Sequence, residues 1–418
     1  MRPGLAIFAC CSLPVLAAAA PPLLESVMDR SIRALWITPG YPSLANPAGF
    51  VFHQTQARAL REAGVDVSVM APTPWVPPGL GRWSPRWANY QQAPRHEHDG
   101  RISVERPRYL TAPRETRLGL AHLTQALACR RAARPDVIHA HFAYPCGSAG
   151  LMLGRRFGVP LVISVLGDDV YIYPNNNGWM RRLFVQAMRG ADRVVANSPD
   201  LATTTRALSG VLPEVLSIGI DIARFSARPD RARIRADLGI APDTFVILYV
   251  GALLPQKGVL DLAAAMRGLG WPDAVVLFAG AGPARPEGPG VRLLGPRPNR
   301  DIPGLLAAAD AFVLPSWHEG LGLSAVEAGA AGVPVVGART GGLANLLADD
   351  CGYAFAPRDV GQLMQALREM RADPDEARRR ADRLKARVDR DHDLHANARR
   401  LAALYGDLVS RNAAKAVH

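Results

Sequence analysis

The chain has 418 residues, which at ~100–200 residues per domain predicts two domains or more. Apolar residues make up 49% of it, enough for sizeable cores and too many for a disordered chain. The formal net charge is +12, almost all from arginine, with Lys257, Lys385 and Lys415 the only lysines; no zinc spacing or base-stacking motif accompanies it, which excludes the common nucleic-acid readers.

The basic balance reads either as a solvated arginine-rich surface or as attraction to anionic lipid or a polyanionic acceptor. Cys10, Cys11, Cys129, Cys146 and Cys351 form no C-x-x-C pair, so a reducing compartment is expected rather than a disulfide framework. Residues 1–29 carry Met1-Arg2-Pro3, the apolar run Leu5–Ala20 and Pro21-Pro22, in the manner of a signal peptide. Met28, just before the first strand, gives the competing reading of an over-extended start. No later stretch reaches the ~18–20 apolar residues of a membrane span.

Arg33–Thr38 reads as a short buried strand, followed by a turn-rich loop through Gly49, a helix over Phe52–Ala63 and a strand at Val65–Met70. That is a βαβ opening. Pro72–Arg117 is rich in proline and arginine, with Trp75, Trp83, Trp87 and Tyr90 and a short strand at Ile102–Val104. Two readings stay open for it: an insertion packed on its own domain, or a basic, aromatic-rimmed surface giving peripheral membrane association near a membrane-attached acceptor. A helix over Leu118–Ala133, the strand Asp136–His141, a helix over Ser148–Phe157 and the strand Pro160–Val165 follow, the last ending in Leu166-Gly167-Asp168-Asp169. His139 and His141 alternate on their strand, so one of them is expected to be buried. Helices over Trp179–Arg189 and Asp200–Leu208 and strands at Arg193–Asn197 and Glu214–Ile218 complete a first doubly wound α/β domain, residues 30–219.

A second such domain is expected over residues 220–390, with strands at Phe245–Val250, Ala274–Phe278, Val291–Leu294, Ala311–Pro315 and Val333–Val336. Residues 391–418 form a last helix expected to cross back to the first domain; His392 and His395 are expected in a solvated helix start. Ligands of open α/β sheets sit beyond the carboxyl ends of the strands, and each glycine-rich loop falls at such an end. The expected site therefore lies in a cleft between the domains.

The most informative stretch is Ala311–Gly342. In it Glu319 and Glu327 bracket Gly320-Leu321-Gly322 and the start of a small-residue helix at Leu323. Unpaired N–H groups and the positive helix end suit a diphosphate. Two carboxylates would repel it, but each accepts hydrogen bonds from sugar hydroxyls. A diphosphate flanked by two sugars is a nucleotide sugar.

The run Glu319–Glu327, EGLGLSAVE, resembles the E-x7-E signature of family 4 retaining glycosyltransferases, which have the GT-B fold of two facing Rossmann-like domains. VGALLPQKG around Lys257, the Gly280–Pro283 turn, Gly219-Ile220-Asp221 and GVPVVGARTGG are similar to further segments of that family. APTPWVPP and VIHAHFAYPCG resemble its surface-polysaccharide branch, notably teichuronic-acid-type enzymes. The resemblance covers roughly residues 31–410. It implies transfer of a hexose-type sugar, with retention and without a metal, from a UDP- or GDP-sugar to a surface-polysaccharide or lipid-linked glycan acceptor. The setting would be the cytoplasm, at the inner face of the membrane.

By position, Glu319 would hold donor-sugar hydroxyls and Glu327 the ribose. Gly320, Leu321, Gly322 and Leu323 would offer backbone contacts, and Lys257 would neutralise the departing diphosphate. Gly49, Gly251, Gly280 and Gly282 would line the donor site, and Asp169 would contact the acceptor or the reacting sugar. His318 is a further candidate beside Glu319. Two positions depart from the family: Leu166 stands where it commonly has histidine, and Ala252 where it commonly has arginine. Either another arginine, Arg297 or Arg339, substitutes for the missing cation, or the enzyme is slow, or it has lost activity. The alternatives are a non-catalytic nucleotide-sugar-binding partner of a polysaccharide assembly complex, and a nucleotide-sugar epimerase of the same fold.

Overall fold

The computed structural model describes residues 31–417 except 48, 113 and 228. The signal-like segment, Cys10 and Cys11 lie outside the described residues.

The first half is built on an eight-stranded sheet. Its elements in chain order are β1 (Arg33–Ile37), α1 (Val51–Glu62), β2 (Asp66–Met70), β3 (His96–Asp99), β4 (Ile102–Glu105), α2 (Glu115–Leu118), α3 (Ala121–Cys129), β5 (Val137–His141), α4 (Ser148–Phe157), β6 (Leu161–Val165), α5 (Asp168–Tyr171), α6 (Gly178–Gly190), β7 (Arg193–Ala196), α7 (Pro199–Ser209) and β8 (Glu214–Val215). The strand order is β8-β7-β6-β5-β1-β2-β4-β3. All neighbours are parallel except β3, which pairs antiparallel with β4. The proline-rich insertion thus extends the sheet with a hairpin.

Leu35 and Ile37 of β1 pack with residues of α4, α6 and α7 on one face. Ala34 and Trp36 pack with α1 and the C-terminal helix on the other. The alternation is that of a strand, but both faces are covered. His139 and His141, two residues apart, share one covered face of β5 with their rings stacked at 4.3 Å, so both are fully buried, against the expectation of one.

The second half carries β9 (Phe245–Val250), α8 (Val259–Leu269), β10 (Ala274–Ala279), β11 (Val291–Gly295), β12 (Ala311–Leu314), α9 (Leu323–Ala330), β13 (Val335–Ala338), α10 (Gly341–Leu347), β14 (Tyr353–Phe355), α11 (Val360–Ala372), α12 (Pro374–Asp391) and α13 (Leu394–Val417). Its six strands run in the order β11-β10-β9-β12-β13-β14, each pair parallel. β9, β10 and β12 are almost wholly apolar, as strands covered on both faces must be.

Two connections join the halves. Ile220 N–H donates to His392 O (2.9 Å) and Leu394 N–H to Ile220 O (3.0 Å), so the linkers run side by side. His392, expected in a solvated helix start, is buried in this crossing, its Nδ1 2.9 Å from Ser217 Oγ. α13 then packs on the first sheet. Leu401, Tyr405 and Leu408 join the core around Trp36, and Trp36 Nε1 donates to Tyr405 Oη at 3.2 Å.

Candidate functional site

The carboxyl ends of β6, β9 and β12 open into one cleft of about 580 Å3 between the sheets. Leu166, Gly167 and Asp168 follow β6, Gly251 and Ala252 follow β9, and His318 to Leu323 follow β12. The halves touch across it: a Cβ added to Gly320 would lie 2.0 Å from Leu166 O. Only glycine permits that approach.

Lys257, in a single 3-10 turn (Pro255–Lys257), directs its Nζ to Glu319 Oε2 at 2.8 Å. Both side chains are partly buried and line the cleft. The Glu319 loop is held from behind. Trp317 Nε1 donates to Asp261 (2.8 Å), the Arg358 guanidinium covers the Trp317 ring at 4.0 Å, and Thr340 Oγ1 donates to Trp317 O (3.1 Å). Among the described residues, no group accepts from the N–H of Gly320, Leu321, Gly322 or Leu323. These amides open α9, whose N-terminus carries partial positive charge.

Glu327 sits one turn into α9 and lines the same cleft. Burial pushes its carboxyl up to about 7, against the pull of the Arg224 guanidinium. The Arg224 Nη2 donates to Asn299 Oδ1 at 2.9 Å, which fixes it at the Glu327 end. Lys257 and Arg224 are the lysine and arginine side chains lining the cleft; Arg297 and Arg339, the candidates for a substitute cation, do not line it.

Asp169, expected to contact the acceptor or the reacting sugar, is instead fully buried and does not line the cleft. Its carboxylate accepts N–H bonds from Ala143 (2.8 Å), Leu166 (3.1 Å) and Gly167 (2.9 Å). It therefore organises the loop after β6. Burial pushes it up to about 6, and those amides oppose the rise. Its neighbour Asp168 is the one that lines the cleft. Burial raises the Asp168 carboxyl; Lys257 opposes the rise, Glu319 adds to it and His318 opposes it.

Three glycines also differ from expectation. Gly251 lines the cleft, but Gly280 and Gly282 do not. Cβ atoms there would lie 1.8 Å from Gly251 O and 2.1 Å from Leu253 O, so both glycines let the loop after β10 pack under the loop after β9. Gly49 lies in the turn before α1, and Phe50, Val51 and Phe52 supply the lining instead. Leu166 and Ala252 both line the cleft, as do Arg224, Asn197, Tyr171 and Phe142, which the sequence patterns did not single out.

Two facing Rossmann-like sheets with a cleft of nucleotide-sugar size at their carboxyl ends define a GT-B glycosyltransferase. The profile "Glycosyltransferase Family 4" matches residues 52–224, and "Glycosyl transferases group 1" matches residues 230–387. A Bacillus subtilis glycosyltransferase named for teichuronic acid biosynthesis is 33% identical over 345 residues, covering 80% of this chain and 88% of the relative. The fold is similar to sucrose-phosphate synthase from Thermosynechococcus elongatus, with TM-score 0.74, 22% identity and coverage of 91% of this chain and 100% of that one. It is similar too to Anabaena HepE, solved in complex with UDP-glucose, with TM-score 0.67, 22% identity and coverage of 90% and 100%. The chain belongs to glycosyltransferase family 4 and is a glycosyltransferase enzyme.

Proposed function

We propose that the enzyme moves a hexose-type sugar, with retention, from a UDP- or GDP-sugar to a surface-polysaccharide or lipid-linked glycan acceptor at the inner face of the membrane. The observation that carries this reading is the convergence in one cleft of the Lys257–Glu319 pair, the open amides of Gly320–Leu323 and Glu327. The amides and the α9 N-terminus suit a diphosphate. Glu327 accepts the ribose hydroxyls, and Glu319 those of the donor sugar. The UDP-glucose complex of the Anabaena structure and the teichuronic acid relative support the donor and acceptor classes.

Cleavage of the anomeric C–O bond leaves positive character on the sugar ring and negative charge on the diphosphate. Lys257 is then released from Glu319 toward the phosphate oxygens, and the α9 amides take part of the charge. The acceptor hydroxyl attacks from the face the diphosphate leaves, and its proton passes to the departing phosphate oxygen. Asp169 holds Leu166 and Gly167 against Gly320 and so shapes the acceptor wall. The test is Glu319→Ala, with transfer and donor binding measured separately. Transfer is expected to vanish while the melting midpoint persists; a wild-type rate would remove the assignment. A thermal-shift panel of nucleotide sugars identifies the donor, since ligand at 100 times its Kd stabilises by ~2.7 kcal/mol.

A further inference from the structure

Helix α3 is built inside out. Its buried face carries Ala121, His122, Gln125, Ala126 and Cys129, while its exposed face carries leucines. Leu120, Leu123 and Leu127 follow one another at helical spacing and are 52%, 47% and 57% exposed. A soluble surface helix shows the opposite pattern.

The stripe does not stand alone. Thr124 Oγ1 donates to Leu110 O at 2.6 Å, which brings Leu110 (62% exposed) against α3. At the N-terminal end Trp179 packs on Gly119, where an added Cβ would lie 2.7 Å from the indole nitrogen. Trp179 is itself 48% exposed. One continuous apolar face results, of the kind that marks an interaction site.

Its rim is basic. Exposed Arg114 and Arg117 precede the stripe, and exposed Arg130 and Arg131 follow it. None of the four forms an ion pair among the described residues. The nearby carboxylate, Glu115, is already engaged: it accepts from the N–H of Leu120 (2.5 Å) and Ala121 (2.6 Å) and from the Tyr144 hydroxyl. Those bonds hold α2 and α3 together and fix the leucines outward. No described helix is long and apolar enough to cross a membrane.

We propose that this face docks on an anionic lipid bilayer, with α3 lying in the headgroup plane, its leucines and Trp179 in the acyl boundary and the four arginines on lipid phosphates. The charge selects this occupant, since exposed arginines at both ends of the leucine stripe, with no ion pair among the described residues, on a chain of net charge +12 complement a negative surface. One short segment links this face to the cleft. The chain that lines the cleft with Leu166–Asp168 and Tyr171 continues through exposed Ile172 to Trp179. This placement deepens the acceptor reading and rests on it only in that respect: docking would present the cleft to a lipid-linked acceptor.

The test is co-sedimentation of the full chain with vesicles, without donor or acceptor, so a wrong acceptor assignment leaves the outcome unaffected. The full chain should pellet with equal parts phosphatidylcholine and phosphatidylglycerol, far less with phosphatidylcholine alone, and less as salt rises. Arg130→Ser with Arg131→Ser should weaken binding about thirty-fold. Leu123→Glu with Leu127→Glu should weaken it at least about a hundred-fold. The replaced side chains are exposed, so melting midpoints should stay unchanged. Leu5–Ala20 remains in every variant, so binding carried by that segment would survive the substitutions. Equal pelleting of the leucine variant and the parent overturns the proposal. So does a parent that ignores anionic vesicles and is a dimer by light scattering while the leucine variant is a monomer; the face would then belong to a second copy.

Discussion

Replacing Glu327 by glutamine should make the protein more stable and a poorer binder of its donor. Burial lifts this carboxyl from its ordinary 4.5 to about 7. Between those values the folded chain binds a proton that the unfolded chain has lost, so stability falls as pH rises from about 4.5 to about 7. At 1.36 kcal/mol per unit, a rise of about 2.5 units costs on the order of 3 kcal/mol once the pH exceeds 7. Glutamine keeps the shape and has no charge to desolvate. At pH 8 the Glu327→Gln melting midpoint should rise on the order of 5 °C or more. Near pH 5 the gain should fall to about a quarter, because the parent carboxyl is then protonated in the fold and the pH stands little above its ordinary 4.5. Donor binding should move the other way. Charge-assisted hydrogen bonds are worth about 1.5–3 kcal/mol each, so the variant should lose at least about tenfold in donor affinity. For the same reason the parent's donor KM should climb as pH falls through about 7. Melts at pH 5 and 8 together with donor titrations decide the matter. A variant less stable than the parent at pH 8, or equally stabilised at both pH values, refutes the electrostatic reasoning; unchanged donor affinity refutes the ribose role.

Lys257→Met should lower kcat by about 10²–10³, the usual cost of a preorganised group at a developing charge. Its melting midpoint should barely move, since a partly exposed ion pair is worth about 0–1 kcal/mol; steady-state kinetics beside a melt separate the two. Asp169→Ala should do the reverse of a pure catalytic lesion and destabilise by several kcal/mol, because each stranded buried N–H costs about 1–3 kcal/mol. Asp169→Asn should lose less, and calorimetry showing the alanine variant as stable as the parent would end the loop-organiser role. Tyr405→Phe leaves Trp36 and His139 without their shared partner and should cost about 1–3 kcal/mol in chemical denaturation, with transfer unchanged.

The Glu319 side of the cleft was legible in the sequence because its residues are local. Glu319, the glycines and Glu327 lie within one strand–loop–helix unit, so spacing alone places both carboxylates at the same helix start. The facing side was less legible because its lining is assembled from several loops. Asp168 and Asp169 are adjacent and chemically identical, and which one faces the cleft depends on where the Ala143 amide lies. That is a contact across 26 residues that no motif encodes. Gly280 and Gly282 illustrate another limit: a glycine needed for backbone crowding and one needed for a ligand read alike. Arg224 follows the Gly219-Ile220-Asp221 linker and becomes a cleft cation only because the linker crosses between the sheets.

The α3 leucines show where periodicity misleads in the other direction. One helix is expected over Leu118–Ala133, but α3 covers only Ala121–Cys129 of it, and Gly119, at φ 68°, separates it from α2. A 3.6-residue period reports that one face is apolar, not that this face is inward. Here the inward face is closed by Ala126 and Cys129, small residues that pack against α4 and β5, and by Ala121, which packs with Tyr144, Met180 and Leu183. The leucines are left outside, so the strongest hydrophobic signal in the segment points away from the core. Such a surface costs solubility unless something covers it, and its arginine rim places a negatively charged bilayer ahead of a protein partner.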